Sequence, residues 1–319
     1  MADVKLRIGT RASPLAVAQA REVARLLAEA HGWDVPREDA AGGAVEIVKI
    51  TTTGDRVRDR PLAAIGGKGL FTKEIEKALV AGEVDLAVHS MKDMPAELPP
   101  GLVIAAVTGR EDPRDAFIGG PAPRLTELPR GAVIGTCSLR RKAQVLTLRP
   151  DFRVVDLRGN VQTRMGKVES GELAGTLLAL AGLRRLGLER HASEVVAAEH
   201  VLPAIGQGTL CLETRADDER TRALLEAVHH APTAVATAAE RAFLARLGGS
   251  CRMPVAGLAE VNGEKVYFRG AVYQPDGSRA FSAERAGDSA DAARMGRDAA
   301  DEIRARAGSD FLAAFVAAQ

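Results

Sequence analysis

Over the first two thirds of this 319-residue chain, short β-branched apolar runs alternate with amphipathic stretches of helical spacing. No other feature restricts the fold as tightly. Runs with a period of about 2 set between runs with a period of about 3.6 read as βαβ units, in which helices cover both faces of a parallel sheet. The expected strands span 5–9, 45–50, 86–89, 103–107, 133–135, 153–157 and 176–179. Between the first two, Ser13 as N-cap with Pro14 behind it opens a helix running toward Ala30, and Phe71, Ile75 and Leu79 keep helical spacing further on.

A hydrophobic content of 46% over this length is enough to bury two or three cores, and turn-rich segments show where they divide. Gly109-Arg110-Glu111-Asp112-Pro113 and Leu202-Pro203-Ala204-Ile205-Gly206-Gln207-Gly208 read as two crossings between one pair of α/β domains, 1–108 with 209–228 and 114–202, with hinges near 109–113 and 203–208. Such a pair is expected to take its ligand in a central cleft. After Pro232 the texture changes. A helix over about 233–247, strands joined at Asn262-Gly263 and Pro275-Asp276-Gly277, and an Ala-rich helix after Asp288 make 231–319 a small α+β domain.

The 43 Lys+Arg nearly cancel the 42 Asp+Glu, and only 3% of residues are aromatic, so neither a basic field nor stacking platforms favour nucleic acid. No apolar run reaches the roughly 18–20 residues that span a bilayer, and residues 1–13 lack the apolar stretch of a secretion signal, so no membrane role and a cytosolic location are expected. Cys137, Cys211 and Cys251 are odd in number and not spaced for zinc, which speaks against a disulfide framework or a structural metal. Cys137 and Cys211 read as small buried hydrophobes, and His229 and His230 as surface or cap residues on different faces of a helix.

Chemistry is expected where strands end and helices begin. Arg11 lies in Gly9-Thr10-Arg11-Ala12-Ser13, Arg140 and Arg141 follow Gly135-Thr136-Cys137-Ser138-Leu139, and Arg158 and Arg164 flank Gly159-Asn160-Val161-Gln162-Thr163. Each segment joins hydroxyls, helix-start N–H groups and a guanidinium, the parts that grip a carboxylate or phosphate. Gly66-Gly67-Lys68-Gly69 lacks the nucleotide-binding spacing and reads as a lid or turn carrying one cation. Lys92 beside Asp93 at a strand end suits proton transfer or stabilisation of a developing cation, and equally a surface ion pair. Cys251, after Gly248-Gly249-Ser250, is either a projected thiol able to act as nucleophile or tether, or a buried small residue. From these residues alone, a non-catalytic anion-binding module and a transferase with Cys251 as acyl carrier both remain open.

Six motifs together carry a resemblance: Gly-Thr-Arg-Ala-Ser-Pro-Leu-Ala at 9–16, Gly-Gly-Lys-Gly-Leu-Phe at 66–71, Ala-Val-His-Ser-Met-Lys-Asp at 87–93, Gly-Thr-Cys-Ser-Leu-Arg-Arg at 135–141, Leu-Arg-Gly-Asn-Val at 157–161 and Gly-Gly-Ser-Cys at 248–251. In order and over most of its length the chain resembles the porphobilinogen deaminase family, also called hydroxymethylbilane synthases. The resemblance implies two α/β domains built like periplasmic binding proteins and a third domain bearing a dipyrromethane cofactor, joined by a thioether to Cys251. It also implies a transferase that deaminates porphobilinogen, condenses four molecules head to tail on that primer and releases hydroxymethylbilane by hydrolysis, as a cytoplasmic monomer without a metal.

By matched position, the resemblance assigns Asp93 to catalysis, as the group that holds pyrrole N–H groups and stabilises the cationic azafulvene. Lys92, Arg140, Arg141, Ser138, Thr136 and Asp55 would hold the cofactor, and Arg11, Ser13, Gln19, Lys68, Arg158, Arg164, Arg185 and Gln207 the substrate. Two positions depart from the family pattern. Ala64 stands where a lysine is frequent upstream of the glycine-lysine turn, and Ser250 where glycine usually precedes the cysteine.

Overall fold

A computed structural model describes residues 5–34, 43–56, 72–120, 122–249, 253–308 and 311. The chain opens with β1 (Leu6–Arg11) and α1 (Pro14–His31), followed by β2 (Val45–Ile50), α2 (Thr53–Arg56), α3 (Lys73–Val80), β3 (Leu86–Ser90) and β4 (Leu102–Val107). The N-cap is as the sequence indicates: Ser13 Oγ accepts the Ala16 N–H at 3.4 Å, with Pro14 at the first helical position. Buried Ala16, Ala20, Val23, Ala24 and Leu27 form the stripe that lays α1 on the sheet.

After the first crossing come β5 (Asp115–Gly119), β6 (Val133–Gly135), α4 (Leu139–Leu148), β7 (Arg153–Val155), α5 (Val161–Glu169), β8 (Gly175–Ala179), α6 (Leu180–Arg185) and β9 (Glu194–Val195). Beyond the second lie β10 (Leu210–Arg215), α7 (Glu219–Glu226), α8 (Ala231–Arg246), β11 (Val255–Asn262), β12 (Lys265–Tyr273), β13 (Ala280–Asp288) and α9 (Ala292–Ala307). The chain divides into two compact units, Met1–Arg110 with Thr209–Ala234, and Glu111–Gly208 with Val235–Gln319.

The first unit holds one five-stranded sheet, ordered β2-β1-β3-β10-β4. The second holds another, ordered β7-β6-β8-β5-β9, and the three-stranded meander β11-β12-β13. The sheets correct the expectation of purely parallel pairing. β1 pairs parallel with β2 and β3, and β6 with β7 and β8, but β10 runs antiparallel between β3 and β4, and β5 antiparallel between β8 and β9. Each reversed strand follows directly on a crossing. Hydrophobic periodicity marks a strand but carries no sign of its direction, and β5, β9 and β10 are not among the expected strands.

The hairpins fall at the expected turns, with Asn262 paired to Lys265 and Tyr273 to Ala280. Glycine is required at 277, where φ is +74° and a Cβ would lie 2.7 Å from the Ala143 carbonyl oxygen and the Thr147 nitrogen of α4. One face of the meander packs on α8 and α9 through Phe243, Phe268, Val272, Ala299 and Ile303. His229 and His230 lie between α7 and α8 rather than on one helix. His230 Nδ1 accepts the Thr233 N–H at 3.3 Å, which caps the start of α8. Cys211 is buried in β10, whereas Cys137 is only half-buried in the loop after β6 and is not the core residue expected. Among the described residues no helix is long and apolar enough to cross a membrane.

Candidate active site

In the first unit, parallel pairing of β1 and β3 brings their C-terminal ends side by side. A pocket opens there, lined by Arg11, Ser13, Leu15, Ala16, Gln19, Thr72, Val88, His89, Ser90 and Asp93. Four residues expected from the sequence, Arg11, Ser13, Gln19 and Asp93, are thus gathered at one place. Asp93 ends a 3₁₀ turn, Met91–Asp93, that follows β3 and turns back through the Met94 N–H to the Met91 carbonyl. Its neighbours Met91 and Met94 are buried while Asp93 is exposed, so the turn is anchored by apolar side chains and presents the carboxylate to the pocket. Gln19 is 4% exposed, and its Nε2 donates to Ser90 Oγ at 2.8 Å, tying α1 to the end of β3. Lys92 is half-buried in the same turn.

Beneath this pocket lies a buried cluster of ionisable side chains that the sequence did not single out. His89 Nε2 sits 2.9 Å from Glu213 Oε2, with both side chains buried, and Cys211 Sγ donates to the His89 carbonyl at 3.6 Å. Glu76 on α3 is also buried. Burial first, and the nearby Glu213 charge with it, push the Glu76 carboxyl above its ordinary range, against Thr72 and His89, which lower it. The motif containing His89 was visible, but its partners lie on α3 and β10, far away in sequence.

In the second unit the parallel strands β7, β6 and β8 likewise end together, and the loops that follow carry the other expected residues. After β6, Thr136 Oγ1 accepts the Ser138 N–H at 3.1 Å and Ser138 Oγ accepts the Arg141 N–H at 3.4 Å, so both hydroxyls shape the start of α4. After β7, Gly159 at φ +115° leads to Asn160, which caps α5 by accepting the Thr163 N–H at 2.8 Å. Arg164 Nε donates to the Gly159 carbonyl at 2.8 Å; Arg158 is half-buried in the same loop. Beyond β8, Arg185 Nη2 donates to the Gly208 carbonyl at 3.1 Å.

Arg140 and Arg141 sit deeper than a surface grip requires. Both are buried against Asp115, the first residue of β5. Gln207 is buried too, its Nε2 donating to the Pro113 carbonyl at 2.7 Å and to Asp115 Oδ1 at 2.9 Å. Burial opposes ionisation of Asp115, but the charges of Arg140 and Arg141 and the hydrogen bonds from Arg141 and Gln207 outweigh it and hold the carboxyl far below its ordinary range. Asp115 was not predicted, since Arg141 and Gln207 stand 26 and 92 residues away in sequence. Lys68 and Cys251 lie outside the described residues, as do Phe71, Ala64 and Ser250, and the side chain of Asp55 is not described.

Two family models cover nearly all of these elements. Residues 6–223 match the porphobilinogen deaminase dipyrromethane cofactor-binding domain, and residues 234–305 the porphobilinogen deaminase C-terminal domain. The chain belongs to the porphobilinogen deaminase family. It is 54% identical over 307 residues to the porphobilinogen deaminase of Paracoccus denitrificans, covering 96% of each chain. To that of Nitrobacter hamburgensis it is 50% identical over 316 residues, covering 99% of this chain and 98% of the relative. A solved lipoprotein of the YaeC family from Enterococcus faecalis aligns with a TM-score of 0.40 at 15% identity, over 72% of this chain and 92% of that one. The members of this family are transferases, and the cofactor of the family is a dipyrromethane.

Proposed function

We propose that this chain is a hydroxymethylbilane synthase: it deaminates porphobilinogen, joins four molecules head to tail on a covalent dipyrromethane and releases the linear product by hydrolysis. The observation that carries the reading is the pocket where a carboxylate, Asp93, stands with Arg11, Ser13 and Gln19 at the ends of two parallel strands of a chain belonging to this family. Porphobilinogen bears acetate and propionate arms around a pyrrole N–H. Arg11 supplies a cation for such an arm, Ser13 and the first N–H groups of α1 supply donors, and Asp93 supplies the acceptor for the ring N–H. When ammonia leaves, positive charge spreads over the pyrrole, and a fixed carboxylate stabilises it more in the transition state than in the ground state.

The donor set of the second unit fits a polycarboxylated cofactor. The loop after β6 offers Thr136, Ser138 and Arg141 to such a cofactor, and the loop after β7 offers Arg158 and Arg164 to the substrate, with a helix start beside each. Arg140, Lys92 and Asp55 complete the cofactor set by matched position, and Lys68, Arg185 and Gln207 the substrate set. The dipyrromethane, held by a thioether at Cys251, would supply the ring carbon to which each pyrrole is joined. Resemblance to the family supports a cytosolic enzyme, acting as a monomer on a small molecule.

Denatured intact-mass measurement tests the reading. Active protein should carry a fixed mass increment that Cys251→Ala lacks. An unmodified chain mass in protein that turns over porphobilinogen would sink the proposal, and an acid-aldehyde pyrrole colour absent from purified protein would weigh the same way.

A further inference from the structure

The arginine pair at the start of α4 carries two guanidinium groups, and one buried carboxylate faces both. Asp115 is fully buried, with Arg140 5% and Arg141 6% exposed. Arg140 Nη2 lies 2.8 Å from Asp115 Oδ2, and its Nη1 donates to the Leu202 carbonyl at 2.8 Å. Arg141 donates to Asp115 Oδ1 from Nη2 at 2.7 Å and from Nε at 3.2 Å. Gln207 Nε2 adds a bond to the same oxygen at 2.9 Å. Arg140 is thereby fixed at two nitrogens, one on the carboxylate and one on the segment 202–208 that returns from the second α/β region. For Arg141 the bonds among the described residues all fall on one side of the guanidinium, Nε and Nη2, and none falls on Nη1.

Side-on engagement of this kind sets the plane of a guanidinium and the direction of its remaining N–H groups. It also fixes the net charge of the group at one positive, since one carboxylate stands against two cations. Resting on the functional reading above, we infer that Asp115 is a positioning residue for the synthase, orienting Arg141 toward a ligand carboxylate while Arg140 serves as the strut that holds Asp115 in place. The loop after β6 then receives one carboxylate arm, through Arg141 Nη1 and the hydroxyl-lined start of α4. Arg140, placed in the cofactor set by matched position, then serves the cofactor through Asp115 and not as a second grip. Gln207 has the same supporting function, because it joins Asp115 to the Pro113 carbonyl at the first crossing.

Asp115→Asn tests the assignment on the full-length protein, with porphobilinogen as the probe. A purely structural Asp115 would lower the thermal midpoint and leave KM for porphobilinogen unmoved in the folded fraction. A positioning Asp115 leaves the covalent mass increment substoichiometric and, in the fraction that carries it, raises KM at least tenfold with kcat changed less than threefold. KM within twofold of wild type together with a full increment overturns the inference. Should Asp115→Asn fail to stay folded, Asp115→Asn combined with Arg140→Met removes the unbalanced buried cation and decides the matter by the same KM and mass readouts. Gln207→Met is expected to raise KM two- to fivefold by the weaker route; an unchanged KM there, with Asp115→Asn also unchanged, speaks against it twice. Failure of the broader functional reading shows separately, as a wild-type protein with neither turnover nor increment.

Discussion

Beneath the pocket of the first unit the buried charge is acidic and gathers round His89; at the arginine loop of the second it is basic and gathers round Asp115. Both places are made the same way, from loops at the ends of parallel strands beside one antiparallel strand that arrives after a crossing. Their exposed groups differ accordingly. The first leaves an exposed carboxylate, Asp93, over a buried imidazole and two buried carboxylates. In the second, the guanidinium groups of Arg140 and Arg141 are themselves buried on Asp115. A scaffold that repeats its geometry can therefore divide its labour by the sign of the charge it buries, with one end suited to stabilising a cation and the other to binding anionic arms.

The sharpest way to break this comparison is at Asp93. Asp93→Asn should lower turnover by roughly 100- to 1,000-fold while the thermal midpoint stays with wild type, because the side chain is exposed; comparable turnover would remove the catalytic half of the contrast. Next comes the cost of breaking a buried ion cluster. Asp115→Asn should destabilise by about 3 to 5 kcal/mol in chemical denaturation, since two buried guanidinium groups lose their counter-charge. Because its carboxyl is held below the ordinary range, the stabilisation from Asp115 is full above about pH 4, where an unfolded aspartate is ionised, and is lost as pH falls below that.

The acidic cluster should respond in the opposite sense. Glu76 has its carboxyl raised by burial and by Glu213, so the native state carries no penalty from it below about pH 4 and an increasing one as pH rises. Glu76→Gln should thus match wild type in acid melts and gain on the order of 1 kcal/mol at pH 8; equal midpoints at both pH values would show that Glu76 ionises without cost. As the surface reference, Arg25→Ala breaks the exposed i,i+4 pair with Glu29 and should cost no more than about 0.5 kcal/mol.

Local chemistry was legible in the sequence. Ser13-Pro14 at the start of α1, Asn262-Gly263 at its hairpin and the strand-end positions of Arg11, Asp93, Arg158 and Arg164 all follow from neighbours within a few residues. What the sequence hid is relational. The direction of β5 and β10 depends on where the chain has come from, which no run of apolar residues records. Asp115 did not stand out because Arg140, Arg141 and Gln207 meet it only in the folded unit. The same arginines were readable as ligand grips by position, yet Arg140 and Arg185 also bind carbonyls of the protein itself. His89 lay inside a recognised motif while its partners Glu213 and Glu76 stood on distant elements.

The position of β10 between β3 and β4 has a consequence for how the protein is made. All the strands of the second unit's five-stranded sheet lie between Asp115 and Val195, so that sheet can close as soon as this stretch has left the ribosome. The sheet of the first unit begins earlier but finishes later. Until Leu210–Arg215 emerges, the facing edges of β3 and β4 lack their shared neighbour, and the nascent chain carries an open slot through the synthesis of about a hundred residues. The order of completion is the reverse of the order of synthesis, and the N-terminal half must be kept from pairing elsewhere until its missing inner strand arrives.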